Sequence, residues 1–559
     1  MPATAAPILA VLSVLHEGPT THAAARRFRG DAVLGWTLRR LAACDAVHAA
    51  AVVCWDDQLA GVQPVADRHG ATVLSQGPRV RLPHVDAVAA ARRWADGWRG
   101  GPLGTSAFDP GFHGPAVRAA AEAFDASAVV LVDASAALVD PALVAAVVGQ
   151  WRDHPERDFA FAPAATGLGC MLLAKPLVDR IAAAPGAHPG RLLHYFPDQL
   201  SREPLADERC APVPVPVARS PHRYTVTGDR QARRLDTATA DLNGQLVATG
   251  AEGVVARVNA AAARGVDPLP REVVLELTTR RATAPIYSPL AAGSAAAGSP
   301  AAGSPAAGAI DRPDLDAAVA ARLFDELSAL DDARLTLAGV GDPLLHPAVF
   351  DLIARAADRG VAVNVETDLL ADAASIARLA ESPADVVSVH LPALTAATYA
   401  AVMGRDAYGA ALGNVQALVT RRAALGKGTP LVVPLFAKCR QNLHEMEAWY
   451  DQWLRAVGTA VVLGPSTYAG LIPDVAVADM QPPRRSPCRR IADRLTVLSD
   501  GTFAPCEQDV LGRQPMGRAG TDALSAVWQA EFAALRKAHA DGRWCELSAC
   551  SKCSEWHRP

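Results

Sequence analysis

EVVLELTTRRATAPIYSPLAAGS, residues 272–294, joins a run of Val and Leu to a polar loop and then enters a repeat of Ala, Gly, Ser and Pro. EVVLEL reads as a strand. The same kind of run returns as RLTLAG (334–339), VAVNVET (361–367), VVSVHLP (386–392), TPLVVPLF (429–436) and AVVLGP (460–465). Helical runs such as DAAVAARLFDELSAL and PAVFDLIARAADRG lie between them. About six strand–helix units predict a partial barrel or an open α/β sheet. Chemistry in such folds sits on the loops after the strands, so the loop after EVVLEL is the first to read.

That loop runs into LAAGSAAAGSPAAGSPAAGAI, residues 290–310. The repeat has no apolar anchor and reads as a flexible low-complexity insertion. Upstream, residues 1–245 alternate again: strands in PILAVLSVL, VHAAAVVCW, AVVLVDA and FAFAP, helices in VLGWTLRRLAAC, GPAVRAAAEAFDA and PALVAAVVGQWRDH. This predicts a second, mostly parallel sheet covered on both faces.

The 559 residues suffice for several cores; half are hydrophobic, a fifth are charged, and the net charge is −4. This is ordinary globular composition, with no positive field to draw nucleic acid or an anionic membrane. The apolar start APILAVLSVL is short, with no Lys or Arg before it, and reads as a buried strand rather than a signal peptide. The expectation is a cytoplasmic protein with no membrane span. Its partner is a protein or small molecule that the sequence leaves unidentified.

Of ten cysteines, Cys44, Cys54, Cys170, Cys210 and Cys439 are scattered, as buried small hydrophobes are. Cys488, Cys506, Cys545, Cys550 and Cys553 crowd the last stretch. A terminal group of thiols in a cytosolic chain points to metal before disulfide. A Cys-x2-Cys pair places two thiolates on one turn, and the Asp-Gly turn in LTVLSDGTFAPC folds Cys488 and Cys506 toward one end of a hairpin. Four soft thiolates suit an iron–sulfur cluster or a zinc ion.

The same segment resembles the SPASM domain, or its shortened twitch form, of radical S-adenosylmethionine (AdoMet) enzymes. Cys488, Gly501 and Cys506 match that family's Cys-x(9–15)-Gly-x4-Cys, and ALSAVWQAEFAALRKAH with CSKC matches its downstream phrasing. The resemblance implies one auxiliary [4Fe-4S] cluster on Cys488, Cys506, Cys550 and Cys553, with Cys545 as an alternate. Zinc is the alternative metal. The seven-cysteine, two-cluster form is not available.

The middle segment is similar to a radical AdoMet barrel. Gly341, Asp342 and Pro343 in AGVGDPLLHP match the family's AdoMet-binding Gly-Gly-Glu-Pro, with Asp for Glu and Val340 for a glycine. They form a vestigial AdoMet site. VNVETDLL resembles the strand ending in Thr-Asn-Gly, with Asp368 for Asn, and His390 and Pro392 replace a Ser and an Asp. The family's cluster ligands, Cys-x3-Cys-x2-Cys, fall on Arg281, Pro285 and Ser288. The first cluster, and AdoMet cleavage with it, are therefore not expected. The loop reads as decayed, the barrel as a scaffold.

Residues 26–41 and 129–144 resemble sugar-nucleotide cytidylyltransferases. Asp31 stands at the phosphate-binding Lys, and Ser135 at the metal-binding Asp, with Asp133 two residues before it. The Gly-rich ADGWRGGPLGTSAFDPGFHG (95–114) offers Trp98, Arg99, Phe108, Asp109 and His113 for an anionic or sugar ligand, or packs as a loop between domains.

The expected α/β chain thus has a nucleotidyltransferase-like α/β domain (1–245), a radical-AdoMet-like partial (β/α)6 barrel (246–483) and a SPASM/twitch domain (484–559). Chains so organised resemble the spiro-SPASM type. The leading expectation is a cluster-binding pseudoenzyme with a binding, assembly or electron-transfer role, its catalytic residues left unassigned. The alternatives are a nucleotide-sugar transferase with magnesium on Asp133, or a four-cysteine zinc module.

Overall fold

The computed structural model describes residues 7–198, 203–262, 267–290 and 310–558. Most of the expected insertion at 290–310 lies outside them. The chain divides into two compact units, Met1–Gly265 and Val266–Pro559.

The first unit holds strands β1 (Ile8–Ser13), β2 (Arg27–Phe28), β3 (Asp31–Ala32), β4 (Ala49–Cys54), β5 (Thr72–Ser75), β6 (Ala128–Leu131), β7 (Phe159–Phe161) and β8 (Met171–Ala174). Six of them form one sheet in the order β5-β4-β1-β6-β8-β7, and β2 and β3 form a small antiparallel pair. β8 runs antiparallel to both its neighbours; the other pairs are parallel. β1 shows why the centre reads as a continuous apolar run. Ile8, Ala10 and Leu12 enter one core, and Leu9 and Val11 the core on the opposite face. The chain leaves β1 toward β4 on one side and returns to β6 on the other, which makes their C-terminal ends a switch point.

The second unit holds β9 (Glu272–Leu275), β10 (Arg334–Leu337), β11 (Ala362–Thr367), β12 (Val386–His390), β13 (Leu431–Ala437), β14 (Val461–Leu463), β15 (Arg494–Val497) and β16 (Phe503–Ala504). The order is β14-β13-β12-β11-β10-β9-β15-β16. β9 to β14 are the six parallel strands expected, each beside its predecessor. Helices such as Ala317–Leu327 and Val349–Asp358 bury their apolar stripes on them, and Asp316 caps the first by accepting from the N–H of Ala318.

One boundary differs from expectation. The helix Ala251–Ala262 packs Val254, Val255 and Val258 into the core of the first unit, so that unit extends past residue 245. The C-terminal segment does not stand apart from the barrel. β15 pairs in parallel with β9, register Arg494 to Glu272, and Trp528 and Phe532 lie in the core that holds Leu275 and Phe324. The free edge of β9 needs partners for its backbone polar groups, and the hairpin of the Cys-bearing segment supplies them.

Among the described residues no helix is long and apolar enough to cross a membrane.

Candidate functional site

β15 and β16 form an antiparallel hairpin, Thr496 facing Ala504 and Val497 facing Phe503. Gly501 turns it at φ +89°, in the left-handed region that suits glycine. Cys488 precedes β15 and Cys506 follows β16, so the pairing returns both to one end. Cys550 and Cys553 lie on consecutive turns, the N–H of Cys553 donating to the carbonyl of Cys550. Cys488 lies within electrostatic reach of Cys506, Cys550 and Cys553. The structure thus gathers the four expected thiols. Cys545, the alternate, sits exposed on the turn Trp544–Glu546.

Burial and Glu507 push the Cys506 thiol well up. Burial, then Cys553 and Cys488, push Cys550 up to about 12, and burial raises Cys553. Without a cation these sulfurs hold their protons; bound metal reverses that preference. A partly buried, all-thiol donor set therefore fits a metal centre. Zinc with Zn–S of about 2.3 Å needs sulfurs about 3.8 Å apart. Among the described residues no three cysteine sulfurs lie within 4.8 Å of one another.

Around the thiols, Arg485 donates to the carbonyl of Cys550, and Arg490 pairs with Glu507 at 2.8 Å. The helix Glu531–Ala540 places His539, 1% exposed, against both ends of the group. Its Nδ1 accepts from the N–H of Cys488 at 3.3 Å, and its Nε2 lies 3.4 Å from Sγ of Cys550. Burial and Arg485 push this imidazole down to about 4. Sequence reading passed over His539 because a lone histidine on a helix carries no spacing signal.

At the ends of β9, β10 and β11 the loop residues do not lie idle. The Arg281 side chain is 7% exposed and that of Asp368 is fully buried. Nε and Nη2 of Arg281 donate to the two oxygens of Asp368 as a bidentate pair, and the Thr283 hydroxyl donates to the same carboxylate. Burial pushes Asp368 up, but Arg281 outweighs it and holds the carboxyl below its ordinary value. Pro285 and Ser288 are buried, and Ser288 Oγ accepts from the N–H of Leu290.

Gly341 and Asp342 are fixed by the same loop. A Cβ on Gly341 would stand 2.2 Å from the carbonyl oxygen of Thr278. The N–H of Asp342 donates to Arg280 O. Its carboxylate accepts from Leu344 N–H, Thr367 Oγ1 and Asp368 N–H. Burial and the Asp368 carboxylate push Asp342 up. The acid at the expected AdoMet position thus holds the chain's own groups, and Pro343 opens the short turn after it. His390 Nε2 lies 3.1 Å from Glu366, and Cys439 is buried, its thiol pushed up to about 12 by burial.

The loop at 278–290 is therefore not decayed. Its polar replacements knit three strand ends together across 87 residues of sequence. This corrects the reading of a loop with no need of exact geometry: a buried guanidinium requires its carboxylate at bonding distance.

In the first unit, β6 ends at Leu131, so Asp133 and Ser135 lie in the turn beyond it. Asp133 Oδ1 accepts from the N–H and hydroxyl of Ser135. Asp31 pairs with Arg39. The Gly-rich segment is built into this unit around Asp109, which is fully buried. Asp109 accepts from Ser106 N–H and Oγ and from Gly190 N–H, and faces His188 Nδ1 at 3.2 Å. Trp98 stacks on Phe161, Phe108 is buried, Arg99 pairs with Glu203, and His113 Nδ1 meets His84 Nε2 at 3.2 Å. Its distinctive groups hold the loop.

The chain is 27% identical over 207 residues to an uncharacterised protein of Treponema pallidum (strain Nichols), a match over 35% of this chain and 58% of that protein. The structure of BtrN in complex with AdoMet and 2-DOIA is similar at 17% identity, over 52% of this chain and 94% of that one, with a TM-score of 0.32. A cytidylyltransferase from Leptospira borgpetersenii serovar Hardjo-bovis is similar at 11% identity, over 46% of this chain and 94% of that one, with a TM-score of 0.31. Residues 488–554, the segment that gathers the four thiols, match the SPASM family, an iron–sulfur cluster-binding domain.

Proposed function

We propose that this protein carries one auxiliary [4Fe-4S] cluster on Cys488, Cys506, Cys550 and Cys553 and does not cleave AdoMet. The cluster, when bound, supplies one-electron chemistry. The observation that carries the reading is the buried bidentate pair of Arg281 and Asp368. Arg281 stands at the position where the radical AdoMet pattern has its first cluster thiolate. Its guanidinium holds a fixed cation and five donors where that chemistry needs anionic soft ligands. The Asp342 carboxylate accepts from Leu344 N–H, Thr367 Oγ1 and Asp368 N–H. The role that follows is electron transfer or assembly for a protein or small-molecule partner, with no nucleic acid or membrane engaged.

Iron, sulfide and zinc per chain, on protein purified without oxygen, test this directly. About four irons with equal sulfide are expected, with no AdoMet consumed under strong reductant. About eight irons, or AdoMet cleavage, would overturn the barrel reading. Zinc without iron would make the C-terminal segment a structural module.

A further inference from the structure

The four thiols differ in what donates to them. Cys553 Sγ accepts from the backbone N–H of Glu555 at 3.3 Å, a bond no side chain controls. Cys550 Sγ faces His539 Nε2 at 3.4 Å. The histidine's other nitrogen fixes which way the proton lies. The N–H of Cys488 can only donate, so Nδ1 of His539, 3.3 Å away, must be the unprotonated nitrogen. The ring proton of a neutral imidazole then sits on Nε2, aimed at Cys550.

We infer that His539 is a positioning residue that sets the reduction potential of the C-terminal cluster through an Nε2–H···Sγ hydrogen bond to Cys550, its tautomer locked by the backbone of Cys488. The inference rests on the ligand set proposed above. Its physical basis is general: a donor to a cluster sulfur favours the more negative, reduced state, and so raises the potential. One hydrogen bond to a charged sulfur from a ring 1% exposed to water is worth on the order of a tenfold change in the one-electron equilibrium, about 59 mV. His539 is not a ligand in this scheme, because the nitrogen facing the sulfur carries the proton.

The test compares the full chain, His539→Ala and His539→Gln, purified anaerobically, by iron and sulfide content and by EPR-monitored redox titration. Expected is unchanged iron in all three, a potential about tenfold lower in equilibrium for His539→Ala, and partial recovery by the amide donor of His539→Gln. An unchanged potential in a variant with full iron would overturn the inference. Loss of iron from both variants would overturn it too, by making His539 a ligand or an assembly determinant. If His539→Ala does not fold, His539→Gln and His539→Leu replace it: at equal iron, a lower potential for His539→Leu than for His539→Gln supports the inference, and equal potentials overturn it. An unaltered chain without iron would instead overturn the cluster reading on which all of this stands.

Discussion

Arg281 and Asp368 show how much a single substitution commits its neighbours to. A guanidinium in the place of a thiolate brings a permanent charge into a site that excludes water, and it is tolerated because Asp368 meets it with both oxygens. Removing one partner strands the other. Arg281→Ala is expected to lower unfolding stability by about 3–5 kcal/mol. Arg281→Met combined with Asp368→Leu should recover most of that loss, because apolar groups of similar volume need no desolvation. Urea denaturation of the single and double variants checks this; a double variant as unstable as the single would mean the pair is not the cause.

Elements are fixed here as much by close approach as by apolar stripes. The loop after β10 lies against the loop after β9, and Gly341 is the point of contact. Gly341→Ala is expected to destabilise by about 1–3 kcal/mol as the backbone shifts to admit a methyl group. Gly413, within the helix Tyr408–Ala424, has no atom within 4 Å of an added Cβ. Gly413→Ala should therefore stabilise, by about 0.5–1 kcal/mol. Thermal melts of the two variants should move in opposite directions, and a shared direction would rule out contact as the discriminator.

The elements themselves were legible in the sequence. Six parallel strands in order follow from runs of Val and Leu spaced by helical segments, and the hairpin from Asp-Gly beside an alternating strand. The gathering of Cys488 with Cys506 was legible for the same reason. The pairing of Arg281 with Asp368 was not, because nothing local distinguishes an arginine destined for a carboxylate 87 residues away from one on the surface. Asp109 left two readings open for the same reason: a Gly-rich loop with charged and aromatic residues looks alike whether it binds a ligand or its own chain.

At the scale of the whole molecule, the partly buried histidines give acid sensitivity a direction. In the first unit His22, His69, His84, His113, His194 and His222 are all held below the ordinary histidine value, burial being the largest cause in each. An unfolded chain takes up protons below about pH 6.5, where these folded rings still refuse them. The unfolded state then binds more protons, so stability rises with pH through that window and falls as pH drops below it. The urea midpoint is expected to fall between pH 7.5 and pH 5.5. His84→Gln with His113→Gln should fall less steeply, and equal slopes would remove that pair from the account.

The strand that opens the second sheet is finished by one made far later. Ser499 reaches back 223 residues to bond Glu276 just after β9, and β15 lies along the whole of β9. During synthesis β9 therefore leaves the ribosome with one edge bare, and keeps it bare until β15 and β16 have followed. Nascent chains arrested before residue 494 should recruit holdase chaperones at that edge and release them once residue 504 has cleared the exit tunnel. The hairpin is then a timing device: the turn that seals the sheet also starts Cys506 back toward Cys488, and Cys550 and Cys553 follow later.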